Sequence, residues 1–214
     1  MKKLLLLAIT ATGISLMSYG QINKGTVLLG GSIGINTSTN DQGSSTQKSQ
    51  SYNFSPSVGL AIRTNTILGI GFGYGHYKTK YDPASGNSEN TSYGSHLFVR
   101  KYKALGNSFF LVGEARIGYG NYKSEQSFVL STDKVIQKQD NLFINLTPGI
   151  AYVVNKHIHL EGTLNSLASL QYSSNKNYNT TSPNNVSKGS SFGFQSNISS
   201  NNPLNLGIRF LLGK

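Results

Sequence analysis

The sequence predicts an all-β fold, an eight-stranded antiparallel up-and-down transmembrane β-barrel. Several stretches alternate apolar and polar residues at period two, most clearly from Phe109 to Tyr119. A strand places alternate side chains on opposite faces, so this stretch has one apolar face and one face that carries Glu114 and Arg116. The connections between such stretches are alternately long and short, and this alternation is typical of a membrane barrel whose apolar face meets lipid.

The composition supports β-structure. The chain of 214 residues has 24 Gly, 12 Tyr and 10 Phe, and only 13% of its residues are charged. This mixture is poor for helices and favourable for strands, and the length suits one domain. After the N-terminus no apolar run reaches the length of about 18 residues that a transmembrane helix needs. The sequence has no Cys, which excludes disulfides and Cys-ligated metals.

Residues Met1–Gly20 are predicted to be a cleaved secretory signal peptide. Lys2 and Lys3 precede an apolar segment, and Ser18-Tyr19-Gly20 resembles a cleavage site with small residues at its ends. The barrel domain is therefore expected to cover residues 21–214.

Four strands are predicted in the N-terminal half of the barrel, where apolar residues recur at period two: 25–36, 52–63, 68–75 and 93–102. Pro56 would remove a ladder hydrogen bond, so we expect a local irregularity there. In the third strand the inward positions are all glycine, which leaves room for facing side chains in a narrow interior. These positions are Gly69, Gly71, Gly73 and Gly75.

Four more strands are predicted in the C-terminal half: 109–119, 142–154, 158–172 and 204–212. The weaker alternation over Ser191–Ser199 is interpreted as the upper part of the last strand, with a bulge near Asn202-Pro203. The connections predicted as long polar loops are 37–51, 79–91, 123–139 and 173–188. The alternatives are a soluble sandwich or a soluble up-and-down barrel, which would bury the apolar face instead.

The charged residues within strands predict a network inside the lumen. Its six members all lie on the less apolar phase: Arg63, Arg100, Glu114, Arg116, Glu161 and Arg209. Their heights along the strands place Glu114 near Arg100 or Arg116, and Glu161 near Arg209, in the periplasmic half. Guanidinium–carboxylate pairs would offset the cost of charge in a poorly hydrated interior. The network is interpreted either as a polar core that fills a narrow barrel or as the gate of a small pore.

The sequence predicts no catalytic, cofactor-binding or metal site. His157 and His159 are two residues apart, but no carboxylate or Cys spacing completes a metal site around them. The glycines from Gly69 to Gly75 belong to strand alternation and precede no helix, so they do not form a dinucleotide loop. The formal net charge of +11 is spread along the chain, which argues against nucleic acid and suits acidic lipid headgroups.

Several stretches resemble small outer-membrane β-barrel proteins of Gram-negative bacteria, the OmpA/PorT-like group. They are Phe54-Ser-Pro-Ser-Val-Gly59, Gly69-Ile-Gly-Phe-Gly-Tyr74, Phe98-Val-Arg-Lys-Tyr102 and Leu206-Gly-Ile-Arg-Phe210. The resemblance implies an outer-membrane location after signal-peptide cleavage. Such barrels usually end on an aromatic residue that the insertion machinery reads, whereas this sequence ends Leu211-Leu-Gly-Lys214.

The functional hypothesis is a non-enzymatic outer-membrane barrel with a structural or surface-interaction role through its extracellular loops. A narrow pore gated by the Arg/Glu network is the first alternative, and a lipid-modifying outer-membrane enzyme is the second. The expected partners are outer-membrane lipid and lipopolysaccharide, the insertion machinery, and an extracellular ligand at the loops. The barrel is expected to be a monomer.

Overall fold

The fold is taken from a computed structural model. It describes residues 21–41, 43, 45–82, 86–106, 108–128, 133–164, 166–181, 185–196 and 204–213. The predicted signal peptide, Met1–Gly20, and the predicted bulge at Asn202-Pro203 lie outside these residues. Within them, no helix has the length and apolar character that a membrane crossing requires.

The described residues form ten β-strands that belong to one antiparallel sheet. In chain order they are β1 Val27–Asp41, β2 Thr46–Arg63, β3 Thr66–Asp82, β4 Asn87–Ala104, β5 Phe109–Ser127, β6 Lys134–Asn155, β7 Ile158–Leu164, β8 Ala168–Asn179, β9 Ser187–Ser196 and β10 Leu204–Leu212.

The sheet closes into a barrel of eight strand positions. Consecutive pairing runs from β1 to β6, and β7 then links β6 to β10, which pairs with β1. β8 also pairs with β6, above β7, so β7 and β8 are two segments of the seventh position. β9 pairs with β8, and β10 pairs with β7. β9 and β10 are therefore two segments of the eighth position. The predicted eight-stranded, antiparallel, all-β barrel is confirmed.

The outer surface carries a continuous apolar band, as the period-two pattern predicts. At its upper border, Phe54 pairs with Tyr74 and Tyr74 with Tyr93 across neighbouring strands. At its lower border the rings of Phe109 and Tyr152 lie 5.1 Å apart. Aromatic residues at both borders of an apolar band are typical of the membrane–water interfaces of a barrel. The apolar phase therefore faces outward, and the soluble alternatives, which bury it, do not describe this fold.

The predicted long loops are mostly strand, which corrects the sequence analysis. β4, β5 and β6 have 18, 19 and 22 residues, whereas a membrane crossing takes about 9–11. The hairpins therefore continue well above the apolar band, and β1 and β2, for example, pair up to Asp41 and Thr46. Above the membrane both faces of a strand meet polar surroundings. The period-two alternation of the membrane-crossing parts is therefore absent there, and the sequence of these extensions resembles that of a loop.

The expected irregularity at Pro56 is present. The β2–β3 ladder is interrupted between Phe54 and Ser57, and the facing residue on β1, Gly31, has a φ of +147°. A Cβ on Gly31 would lie 2.6 Å from the Ser55 carbonyl oxygen, so glycine is required there. Among the described residues, β1 pairs with β10 only at Val27–Leu29, on the short-turn side of the irregularity at Gly31.

Candidate functional site

Arg100 lies at the centre of a charge network inside the barrel. It reaches from β4 to acids on two different strands. Its Nε donates a hydrogen bond to Glu114 Oε2 at 2.6 Å, and its Nη1 donates to both carboxylate oxygens of Glu161 at 2.8 Å. Only 2% of the Arg100 side chain is exposed. The two carboxylates pair with this buried guanidinium and accept its hydrogen bonds, as a buried charge requires.

Two further arginines flank the centre. Arg116 pairs with Glu114 through its Nε, and Arg209 Nε donates to Glu161 Oε2 at 3.0 Å. The Tyr102 hydroxyl donates to Glu161 Oε1 at 3.0 Å. The structure therefore brings together five of the six residues that the sequence placed in the network, in the pairs expected. The contact between Arg100 and Glu161, which crosses the lumen, was not foreseen.

Arg63 does not join the network, which corrects the sequence analysis. It is the last residue of β2, it is exposed, and it lies beside the turn to β3. The sequence placed it on the inward phase by counting along β2. However, the β2–β3 register shifts between Ala61 and Arg63, and this shift carries Arg63 out of phase. A one-residue slip moves a side chain to the other face of a sheet.

An apolar layer lies below the network, toward the end of the barrel that carries the short turns. Its members are buried side chains on the inward phase: Leu28, Ile67, Tyr102, Phe110, Val112, Val153 and Leu211. Phe98 is also buried, but it lies opposite Arg116, two residues nearer the hairpin end than Arg100. The Phe110 ring stands edge-on to that of Tyr102, with centroids 5.8 Å apart. Phe110 and Val112 lie on the same strand face as Glu114 and Arg116, and this second sealing layer was not predicted from the sequence.

A cavity of about 860 Å³ lies above the network. It rises from Arg116 and Arg209 to the level of Tyr122 and Gln139, where the strands leave the apolar band. Its inward-facing walls are mostly small or polar side chains, including Ser55, Ser57, Asn53, Ser92, Thr163 and Asn141. The lumen is therefore sealed at the short-turn end and hollow toward the hairpin end.

The predicted inward glycines of β3 make room for larger neighbours. Gly69 and Gly71 are buried, and Gly69 lies against the Phe98 ring while Gly71 lies against His96. A Cβ at Gly75 would approach Ser92 Oγ within 2.6 Å. Glycine thus allows the rings and hydroxyls of β4 to occupy the narrow lumen, as the sequence analysis expected.

Hydroxyl groups and ion pairs hold the strand extensions above the membrane. Ser49 and Thr79 are buried and lie within hydrogen-bond distance, and the Tyr77 hydroxyl donates to Ser49 Oγ at 3.2 Å. On β5, Lys123 Nζ donates a hydrogen bond to Glu125 Oε1 at 2.5 Å. This hydrogen bond lowers the pKa of the Glu125 carboxyl.

The histidines do not form a metal site. No cluster of three or more potential ligands is present among the described residues. His157 Nδ1 lies 2.9 Å from the Leu211 carbonyl oxygen, at the surface, whereas His159 is buried beside Phe110. The two rings that looked like a pair in sequence therefore lie in different surroundings.

One outward-facing set has the residue types of a nucleophile, a base and an acid. His76 Nδ1 lies 3.4 Å from Thr91 Oγ1, and His76 Nε2 lies 3.8 Å from Glu89. Glu89 is half exposed and also pairs with Lys78 at 3.7 Å. Because the carboxylate is shared, solvated and beyond hydrogen-bond distance, it does not orient the ring as a catalytic acid does.

Comparisons with known proteins identify one family. A family model described as autotransporter beta-domain matches residues 27–208. The chain is also similar to a solved structure, the translocator domain of autotransporter NalP from Neisseria meningitidis. The identity is 13%, the TM-score is 0.43, and the match covers 98% of this chain and 92% of that one. No curated protein matches. The family found is not the OmpA/PorT-like group; the outer-membrane barrel is what the two assignments share.

Proposed function

The chain belongs to the autotransporter beta-domain family, a family of bacterial outer-membrane barrels, and from this premise we propose that it is a non-enzymatic, non-conducting barrel that presents extended polar hairpins at the cell surface. Its role is structural or depends on surface interaction. The termini and short turns lie in the periplasm, and the long hairpins lie outside, as in other outer-membrane barrels. The location implies a Gram-negative bacterium and a cleaved signal peptide.

The sealed lumen is the observation that carries this proposal. A conducting pore needs a continuous aqueous path, and here two layers close it. The upper layer is the network around Arg100, and the lower layer is the apolar cluster that includes Phe110 and Val112. Eight strands enclose an interior just wide enough for side chains to fill. The polar interior of the barrel is therefore a core that fixes the wall.

The strand extensions support the surface role. They rise above the aromatic border, are rich in Ser, Thr, Asn and Lys, and remain paired almost to their tips. Ordered hairpins present side chains with less loss of conformational entropy on binding than long flexible loops do. We propose that any extracellular ligand contacts these hairpins. Lipid and lipopolysaccharide surround the barrel, the insertion machinery assembles it, and it acts as a monomer.

Conductance tests the proposal against the alternative of a gated pore. We expect no channel activity from the wild-type barrel in a planar bilayer, and none after Glu114→Gln with Glu161→Gln, because the apolar layer below stays in place. A gated pore would instead open when its carboxylates are removed. A rise in conductance in the double variant, with normal heat-modifiable gel migration, would therefore support the gate and contradict the sealed core.

Cysteine labelling tests the orientation. The sequence has no Cys, so a single introduced thiol reports one position. Lys176 lies on the upper part of β8, and Lys156 lies in the turn between β6 and β7; both are exposed. We expect an impermeant maleimide to label Lys176→Cys on intact cells and to label Lys156→Cys only after the outer membrane is permeabilised. The reverse pattern would overturn the surface role of the hairpins.

Polypeptide translocation is the second candidate, favoured by the description of the family. For a chain to pass through this lumen, the Arg100 network and the apolar layer would have to be displaced together. The conductance measurement separates the two candidates, because a lumen that opens for a polypeptide also conducts ions while it is open.

A further inference from the structure

We propose that the cavity above the network binds a small, hydroxyl-rich anion, such as a sugar acid, with Arg116 and Arg209 as the groups that recognise its charge. The inference goes beyond the proposed surface role. It concerns the lumen, and binding in detergent does not depend on what the hairpins contact.

The floor of the cavity presents positive charge. Arg116 and Arg209 keep 34% and 14% of their side chains exposed, whereas Glu114 and Glu161 keep only 4% and 1%. Each arginine is thus more exposed than the carboxylate with which it pairs. Each pairs through its Nε, and both arginines line the cavity.

The charges do not balance within the network. Three guanidinium groups, of Arg100, Arg116 and Arg209, meet two carboxylates. Among the described residues that line the cavity, Glu161 is the only acid. One positive charge of these five side chains therefore has no carboxylate of its own, and an anion from outside would pair with it.

The shape and the walls define the rest of the ligand. A volume of about 860 Å³ lies within the range typical of small-molecule sites. The walls offer hydroxyl and amide groups at several heights, from Ser55 and Asn53 to Asn141. Guanidinium groups match carboxylate, phosphate and sulfate in a forked geometry, and hydroxyl and amide groups suit a polar body. The sealed floor means that such a ligand enters from the hairpin end.

Glycines keep the site open. Gly30 lies directly beneath the Arg209 side chain, which any larger residue there would displace. Gly73 borders the cavity, and a Cβ there would meet only Ser55 Oγ, at 3.7 Å. A longer side chain at position 73 would therefore occupy part of the cavity and leave every charge in place.

Calorimetric titration of the refolded barrel in zwitterionic detergent, with glucuronate and glucose, tests the inference. These probes differ in one carboxylate. We expect glucuronate to bind at least about tenfold more tightly than glucose, and less tightly as salt is added. Arg116→Gln is expected to weaken glucuronate binding about tenfold or more, whereas Arg63→Gln, the same change outside the network, leaves it unaltered.

Gly73→Gln provides an independent variant, since it retains every charge and narrows the space. We expect it to weaken glucuronate binding about tenfold or more while heat-modifiable migration remains normal. Equal binding of the two sugars, no saturation by glucuronate below about 10 mM, or full binding by the folded Arg116→Gln barrel would each overturn the inference. A cavity that fails to bind, in a barrel that still does not conduct, would leave the proposed function intact.

Discussion

Glu161→Gln is expected to lower the free energy of unfolding of the barrel by about 3–5 kcal/mol, because the change removes a charge that pairs with the buried guanidinium of Arg100 and with that of Arg209. Glu161 accepts hydrogen bonds from Arg100, Arg209 and Tyr102. The amide keeps the shape but loses the charge and one acceptor oxygen. Arg100, with 2% of its side chain exposed, then retains only Glu114. The measurement is urea unfolding of the refolded barrel in lipid vesicles, followed by heat-modifiable migration.

Glu89→Gln is the matched control. Glu89 pairs with Lys78 at 3.7 Å, and its side chain is 49% exposed. Exposed ion pairs contribute about 0–1 kcal/mol, so the control is expected to unfold close to the wild-type urea concentration. If both variants unfold alike, the network does not stabilise the barrel, and its charges are better explained by the cavity above it.

The period-two alternation made most of the barrel predictable. In a membrane barrel the lipid face must be apolar along the whole crossing, so the sequence of each strand shows which of its residues face lipid and which face the lumen. Antiparallel pairing then sets how far each inward residue lies from the short-turn end. This is why the pairing of Arg100 with Glu114 could be inferred from their distances to one short turn, and the structure places these two residues directly opposite each other.

Features that do not depend on contact with lipid could not be predicted from the period-two alternation. The register shift before Arg63 is a local irregularity that no period reveals. Contacts across the lumen, such as that of Arg100 with Glu161, depend on the curvature of the closed barrel and not on neighbouring strands. The hairpin extensions lie in water, where no solvent imposes alternation, so paired strands such as the upper parts of β5 and β6 were taken for loops.

Gly69→Val is expected to destabilise the barrel by at least about 1–3 kcal/mol, as overpacking of a filled core does. A Cβ on Gly69 would clash with the Phe98 ring and with the Val58 carbonyl oxygen. The backbone oxygen cannot rotate away, and Phe98, 3% exposed, is buried inside the lumen. We expect slower refolding into the fast-migrating form and a lower urea midpoint.

Gly113→Val is the same substitution at a lipid-facing position, and it is expected to raise the stability of the barrel where Gly69→Val lowers it. No atom lies within 4 Å of a Cβ built on Gly113, and valine favours strands by up to about 1 kcal/mol over glycine. The barrel should therefore become slightly more stable. The change in urea midpoint therefore has one sign for a substitution on the inner face of the wall and the other sign for the same substitution on the outer face. Equal destabilisation by both would contradict the tight packing of Phe98 against Gly69 on the inner face of the wall.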